Sequence, residues 1–227
     1  MLDVHPPHKP LHGFWEFLLH LFTITVGLLI ATQIESCMEW RHHVHVAEEA
    51  RTRLRAEIES NLKDLKQAQP VVTEWRAEID ADLAAMQRIQ DHPADPASQH
   101  ATLTVNFRSM TLRDTAWTTA QSTGALALMP YDEAERFASV YKTQNDLMAQ
   151  AQKPWEDTAV INGLLVKFHW TDKRKITEAQ ASEVADRLGQ MRLHLLAGDL
   201  LLKQCIEVSE AYLEGRNPNN NFHESLH

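Results

Sequence analysis

The residues best suited to chemistry are histidines and glutamates clustered in one short stretch of the chain. Glu39 and His42 form a Glu-x-x-His pair, which is one half of the ligand set that di-iron helical bundles use. His42, His45 and Glu49 share a face at helical spacing, so these four residues are the candidate metal ligands. A di-iron site also needs a second pair and further glutamates, and residues 178–214 contain no second pair.

Other interpretations of this cluster remain open. Zinc needs three or four convergent ligands, which a single helix supplies only across an oligomer. Alternatively, Arg41 and the imidazoles form a polar belt that meets the phosphates of lipid headgroups. Histidine also titrates near neutral pH, as a pH sensor requires. Because the chain has neither a GxxxxGK[ST] nor a GxGxxG phosphate loop, we predict no enzyme, no catalytic residue and no cofactor.

Composition limits the class of protein. The chain has 227 residues, of which 44% are apolar, and a formal net charge of −9. This negative balance argues against nucleic acid as a partner, because the neutralisation of phosphates requires a basic face. The two cysteines, Cys37 and Cys205, are too few for a disulfide framework. The length suits one domain together with a membrane segment.

Residues 17–34 form an uncharged segment that predicts a membrane helix. As an α-helix the segment would span about 27 Å, close to the ~30 Å hydrocarbon core of a bilayer. Trp15 and Trp40 flank it, as amphipathic rings do at membrane interfaces. A cleaved signal peptide needs a basic start, but Lys9 is the only lysine or arginine before the segment. We therefore predict a single uncleaved anchor in the lipid bilayer, with a buried core helix as the alternative.

Small residues recur on one face of this predicted membrane helix. Thr23, Gly27 and Ala31 are four residues apart, and His20 joins the same face. Such a face lets a second helix approach closely. These four residues therefore predict helix packing, either in a homo-oligomer or with an unidentified membrane protein. The alternative is that they reflect only the general abundance of small residues in membrane helices.

The distribution of basic residues predicts the orientation. Arg41, Arg51, Arg53 and Arg55 follow the membrane segment, whereas Lys9 alone precedes it. Basic residues are enriched on the cytoplasmic side of membrane proteins. The soluble body is therefore expected in the cytoplasm, attached to the cell inner membrane.

Apolar residues recur at three- and four-residue spacing along the rest of the chain, which predicts an all-α fold. The membrane helix is expected to continue to Gln69, before Pro70, and to pack with further helices as an antiparallel bundle. Within the third of the predicted helices, Trp117 is expected to be a buried core residue. The further helices are predicted over residues 71–90, 111–128, 131–168 with a kink or restart at Pro154, and 177–215. The predicted domains are an extended arm (1–12), a transmembrane helix with its interface (13–40), a helical bundle (41–215) and a disordered tail (216–227).

The membrane segment and its flank resemble a known type of sequence. Residues 27–35 read GLLIATQIE, a GxLIAxxxE pattern, and the run Arg41-His42-His43-Val44-His45 follows. These motifs resemble a widespread group of uncharacterised bacterial single-pass membrane proteins, as does the later region around Ala116-Trp117. The resemblance covers most of residues 13–145 and implies an N-terminal membrane helix with a helical soluble body. The group has no established activity, so it implies no catalytic residue.

Three functions are compatible with these observations. The sequence favours a membrane-anchored helical interaction or scaffold protein that self-associates. The alternative is a membrane sensor or transport-accessory subunit whose bundle binds a ligand or an ion. A third hypothesis is a metalloenzyme built on the histidine cluster.

Overall fold

The structure is a computed structural model that describes residues 13–99, 102–170 and 175–218. Within these residues the fold is all-α and contains no strand, as predicted. The predicted arm, residues 1–12, lies outside the described residues, as do residues 219–227 of the predicted tail. The helices are α1 (Phe14–Asp91), α2 (Pro96–Gln99), α3 (Thr115–Ser122), a 3-10 helix (Ala125–Leu128), α4 (Tyr131–Lys167) and α5 (Glu178–Glu214).

The chain divides into two compact units, Met1–Glu49 and Ala50–His227. The first unit contains the beginning of α1, and most of the large apolar side chains of this part are exposed. The second unit contains the rest of α1 and all the other helices, and it buries its own apolar residues. We refer to the second unit as the bundle.

Pro70 does not end the first helix, so the prediction of separate helices before and after it was wrong. A proline inside a helix removes one backbone hydrogen bond and costs about 3 kcal/mol. On either side of Pro70, however, Leu65, Trp75 and Ile79 belong to the buried stripe of α1 and are at most 6% exposed. Packing of this stripe offsets the cost of the proline. Pro154 likewise lies inside α4, which is one helix from Tyr131 to Lys167.

The third predicted helix, over residues 111–128, is interrupted. The α-helix covers only Thr115–Ser122, and the 3-10 helix over Ala125–Leu128 follows it. Between them Gly124 has a φ of 72°, a left-handed conformation that glycine adopts without a steric penalty. Trp117 is half-buried rather than buried. Its ring stacks on that of Tyr141, with 4.9 Å between the ring centroids.

Polar contacts along the bundle fix the directions of its three long helices. α5 runs antiparallel to α1 and to α4, so α1 and α4 run parallel to each other. The connection from α1 to α4 must therefore return along the bundle. The contacts are Arg55–Leu213 and Arg76–Asp199 between α1 and α5, Gln150–His194 and Lys167–Glu183 between α4 and α5, and Arg51–Glu133 and Asn61–Gln144 between α1 and α4.

The core of the bundle includes two groups of buried side chains, and Leu54, Ile58, Phe137 and Val140 are buried outside these groups. The larger group joins the C-terminal part of α1, the end of α4 and the first half of α5, with Ile79, Met86 and Ile161 fully buried in it. The smaller group contains Leu65, Leu147, Leu202 and Cys205. Both groups contain residues from α1, α4 and α5, so all three long helices share the core.

Residues 102–114 form an extended segment, here called the strap, which returns along α1. Its residues 103–107 form neither helix nor strand. Asp82 accepts hydrogen bonds from the Thr104 N–H at 3.0 Å, and Asn61 Oδ1 accepts one from the Arg113 N–H at 3.0 Å. The extended path from Thr104 to Arg113 is about 30 Å long. It matches the roughly 32 Å of helix between Asp82 and Asn61.

The ends of α5 agree with the sequence prediction. The Thr177 hydroxyl accepts a hydrogen bond from the Gln180 N–H, and the Gln180 side chain accepts one from the Thr177 N–H. This reciprocal pair is a capping box, which satisfies backbone donors at the start of a helix. At the other end Gly215 has a φ of 72° and ends the helix.

Candidate functional site

A cavity of about 300 Å³ lies inside the bundle, between α1, the strap, α4 and α5. This volume is within the range of small-molecule sites in proteins. Four separate segments supply the wall, so the cavity exists only when the bundle and the strap have folded together. The apolar part of the wall includes Val71, Val72, Met110, Leu147, Leu195 and Leu202.

Trp75 is the aromatic residue of the wall. It is 6% exposed, and no atom of the described residues accepts a hydrogen bond from its Nε1. A buried donor without an acceptor is unfavourable by about 1–3 kcal/mol. Because Nε1 itself is inaccessible, Trp75 contributes the carbon atoms of its ring to the wall.

Arg108 brings a positive charge to the wall, but nearby carboxylates compensate it. The guanidinium Cζ lies 5.7 Å from the centroid of the Trp75 ring. Its Nη2 donates to both carboxylate oxygens of Glu78, at 2.7 and 2.6 Å, and Glu74 lies 3.9 Å from Nη1. Asp64 is the other charged residue of the wall. The site therefore has no excess of positive charge.

Two backbone features add space and polarity to the wall. Pro154 has no N–H, so the carbonyl of Gln150 lacks its usual α-helical donor. Gly198 has no side chain, and a Cβ at this position would lie 4.0 Å from Gln150 Cγ, its nearest neighbour. All three residues line the cavity. A larger side chain at position 198 would therefore occupy part of the cavity volume.

A second buried polar contact joins α4 to α5. His194 Nδ1 lies 2.6 Å from Asp157 Oδ2, and Asp157 is 9% exposed. The carbonyl of His194 also accepts a hydrogen bond from Gln150. These contacts fix the register of the two helices along one side of the cavity.

The four candidate metal ligands all lie on α1, in the first unit. The carboxylate of Glu39 lies 3.9 Å from His43 Nε2, one turn further along the helix. The rings of His42 and His43 have centroids 6.3 Å apart. Across the ranges that the structure describes, no three His, Cys, Asp or Glu side chains converge on a possible metal position. Among the described residues, Glu39, His42, His45 and Glu49 therefore do not form a metal-binding cluster, either with one another or with residues of another helix.

The four predicted packing residues lie on the exposed surface of the first unit. α1 contains a candidate membrane span, and none of its apolar window is buried. His20, Thr23, Gly27 and Ala31 are exposed. The Thr23 hydroxyl donates to the Leu19 carbonyl at 2.8 Å, so its proton is used within its own helix. At Gly27 an added Cβ would have no heavy atom of another residue within 4 Å, apart from its own helical backbone and chain neighbours.

No family model, curated protein or solved structure matches the chain. Its function must therefore be inferred from the residues themselves. Sequence reasoning did not find the cavity. Three residues that disfavour a helix, Pro70, Pro154 and Gly198, could have indicated it. They lie on α1, α4 and α5, the three long helices that surround the cavity.

Proposed function

We propose that this chain is a membrane-anchored helical scaffold protein that self-associates through its membrane helix. The observation that supports it is the apolar surface of residues 14–38. Ten of its large apolar side chains are at least 55% exposed: Phe14, Trp15, Leu19, Phe22, Ile24, Leu28, Leu29, Ile30, Ile34 and Met38. A helix that is apolar on all sides and uncovered by protein is suited to lipid rather than water.

The polar groups of this segment also support insertion in a bilayer. The hydroxyls of Thr23 and Thr25 donate to carbonyls four residues earlier, both at 2.8 Å, and that of Thr32 donates to Leu29 at 3.0 Å. In lipid, a polar group without a partner costs several kcal/mol. The three hydroxyl protons are satisfied within the helix, so they add little to the cost of insertion.

Anchoring is tested by alkaline carbonate extraction of membranes that contain the full chain. We expect the natural chain to stay in the membrane pellet. Replacing both Leu28 and Leu29 with Arg should release it, because each central arginine costs about 2.5–3.5 kcal/mol on insertion scales. Leu193→Arg is the control, since Leu193 is a 62% exposed apolar residue of the bundle. Release of the natural chain, or retention of the double variant, contradicts the anchor.

Self-association is tested with two matched threonines on opposite faces. Thr23 and Thr25 have the same internal hydrogen bond, but only Thr23 shares a face with Gly27 and Ala31. We expect Thr23→Leu and Gly27→Leu each to weaken self-association by about 1 kcal/mol, roughly fivefold, and Thr25→Leu to leave it unchanged. The measurement is energy transfer between C-terminally labelled full-length chains in lipid vesicles. Equal effects of Thr23→Leu and Thr25→Leu contradict pairing through this face.

A further inference from the structure

We propose that the cavity of the bundle binds a mainly apolar small molecule that carries no negative charge. The site is independent of the membrane helix, because every residue of the wall belongs to the bundle. It assigns a ligand class to a part of the molecule that the anchoring proposal does not use.

The apolar character of the ligand follows from the wall. Val71, Val72, Leu147, Leu195 and Leu202 come from three helices and face one volume of about 300 Å³. Sites of this size bury most of the surface of a bound small molecule, and burial of apolar surface is the main favourable contribution. A ligand made mostly of polar groups would lose its hydration without regaining partners.

The exclusion of negative charge follows from the two charged residues of the wall. Arg108 is held by Glu78 at 2.6 Å and has Glu74 at 3.9 Å. A bound anion would have to compete with these carboxylates, would also face Asp64, and would lose its hydration against the apolar wall. A molecule without negative charge avoids these costs.

The test uses benzophenone, an uncharged two-ring ketone that forms a covalent bond to nearby C–H groups under ultraviolet light. Full-length chain in lipid nanodiscs is irradiated with increasing benzophenone, and the modified residues are identified by mass spectrometry. We expect saturable modification of residues 64–75, 110, 147–154 and 195–202. Modification of residues 17–34, which bind lipid under the anchoring proposal, serves as the internal standard for benzophenone dissolved in the bilayer. Saturable modification of the wall supports the site even if residues 17–34 are not in lipid.

Two glycines of α5 provide a matched pair of variants. Gly198→Leu fills the cavity and should abolish modification of the wall. Gly189→Leu is the control, since Gly189 lies on the same helix, has no heavy atom within 4 Å of a Cβ position and is not part of the wall. Ala151→Leu fills the same volume from α4 and replaces Gly198→Leu if that variant fails to melt cooperatively. Undiminished modification of the wall in a folded filled variant overturns the site.

The charge is tested separately. The anionic analogue 4-benzoylbenzoate should not modify the wall saturably. Saturable modification of the wall by this anion overturns the exclusion of negative charge.

Discussion

Asp82 is a buried carboxyl group that holds one end of the strap. It is 2% exposed, and both of its oxygens accept a hydrogen bond from the Thr104 N–H at 3.0 Å. Burial raises the pKa of Asp82 from 3.8 to about 6, and the charge of Glu78 adds to this, although the Thr104 hydrogen bond opposes it. The folded protein therefore holds the Asp82 proton more tightly than the unfolded chain does. The stability that this proton contributes is present below about pH 4 and is lost as the pH rises through 6.

At the scale of this residue we predict that Asp82→Asn removes a pH dependence of stability. Asparagine keeps an acceptor for Thr104 but carries no charge. Relative to the natural chain, the variant should gain up to about 3 kcal/mol of unfolding free energy between pH 4 and pH 8. Urea unfolding at both pH values measures the difference. A constant difference between the two proteins across this range would contradict the raised pKa.

The structural role of a single residue could be predicted where its partners are close in sequence. It could not be predicted where the partners are distant in sequence. The ends of the helix predicted over residues 177–215 depend on neighbours within a few positions, and the capping box of Thr177 and Gln180 and the turn at Gly215 confirm both ends. Trp117 was expected to be buried because small residues surround it in sequence, but it is half-buried and stacks on Tyr141. The partner of Asp82 is 22 positions away, and no spacing rule connects them.

At the scale of secondary-structure elements, periodicity predicted the long helices but not their continuity. Pro70 indicated a helix end because its local effect is unfavourable, and the buried stripe on both sides of it outweighs that effect. The path of the strap, in contrast, is determined by tertiary contacts and not by a periodic sequence pattern. Its sequence has no strong periodicity, and its path is set by side chains of α1, including Asp82, Glu78 and Asn61. Because the strap supplies part of the cavity wall, local sequence patterns could not predict the cavity either.

At the scale of elements, the contacts of Asn61 provide a test of how α1 holds the strap. It is fully buried, accepts a hydrogen bond from the Arg113 N–H at 3.0 Å, and donates to the Arg113 carbonyl at 2.7 Å and to Gln144 at 2.9 Å. We expect Asn61→Ala to lower the unfolding free energy by about 2–4 kcal/mol, because it leaves buried partners unsatisfied. Amide hydrogen exchange of Arg113 should also accelerate.

The neighbouring Ser60 provides the control for this prediction. Its hydroxyl accepts a hydrogen bond from the Arg113 side chain at the surface. Ser60→Ala should therefore change the unfolding free energy by less than about 0.5 kcal/mol. Equal effects of the two substitutions would show that the backbone contacts of Asn61 do not hold the strap.

At the scale of the whole molecule, the two units differ in what surrounds them. The bundle buries its own apolar residues, whereas residues 14–38 expose theirs. The two free cysteines differ in accessibility in the same way. Cys37 is exposed in the first unit, and Cys205 is fully buried in the bundle. Burial raises the pKa of the Cys205 thiol to about 12, so at neutral pH it has almost no reactive thiolate.

This contrast makes the side of the membrane measurable with the natural thiols. The arginines after the span predict a cytoplasmic location for Cys37. A membrane-impermeant maleimide at neutral pH should therefore leave the chain unmodified in intact bacterial spheroplasts and modify one thiol per chain after permeabilisation. Cys37→Ser should abolish this modification until the bundle is unfolded, because only Cys205 remains. Modification in intact spheroplasts would place the bundle outside the cytoplasm, and the arginines would then not determine the orientation.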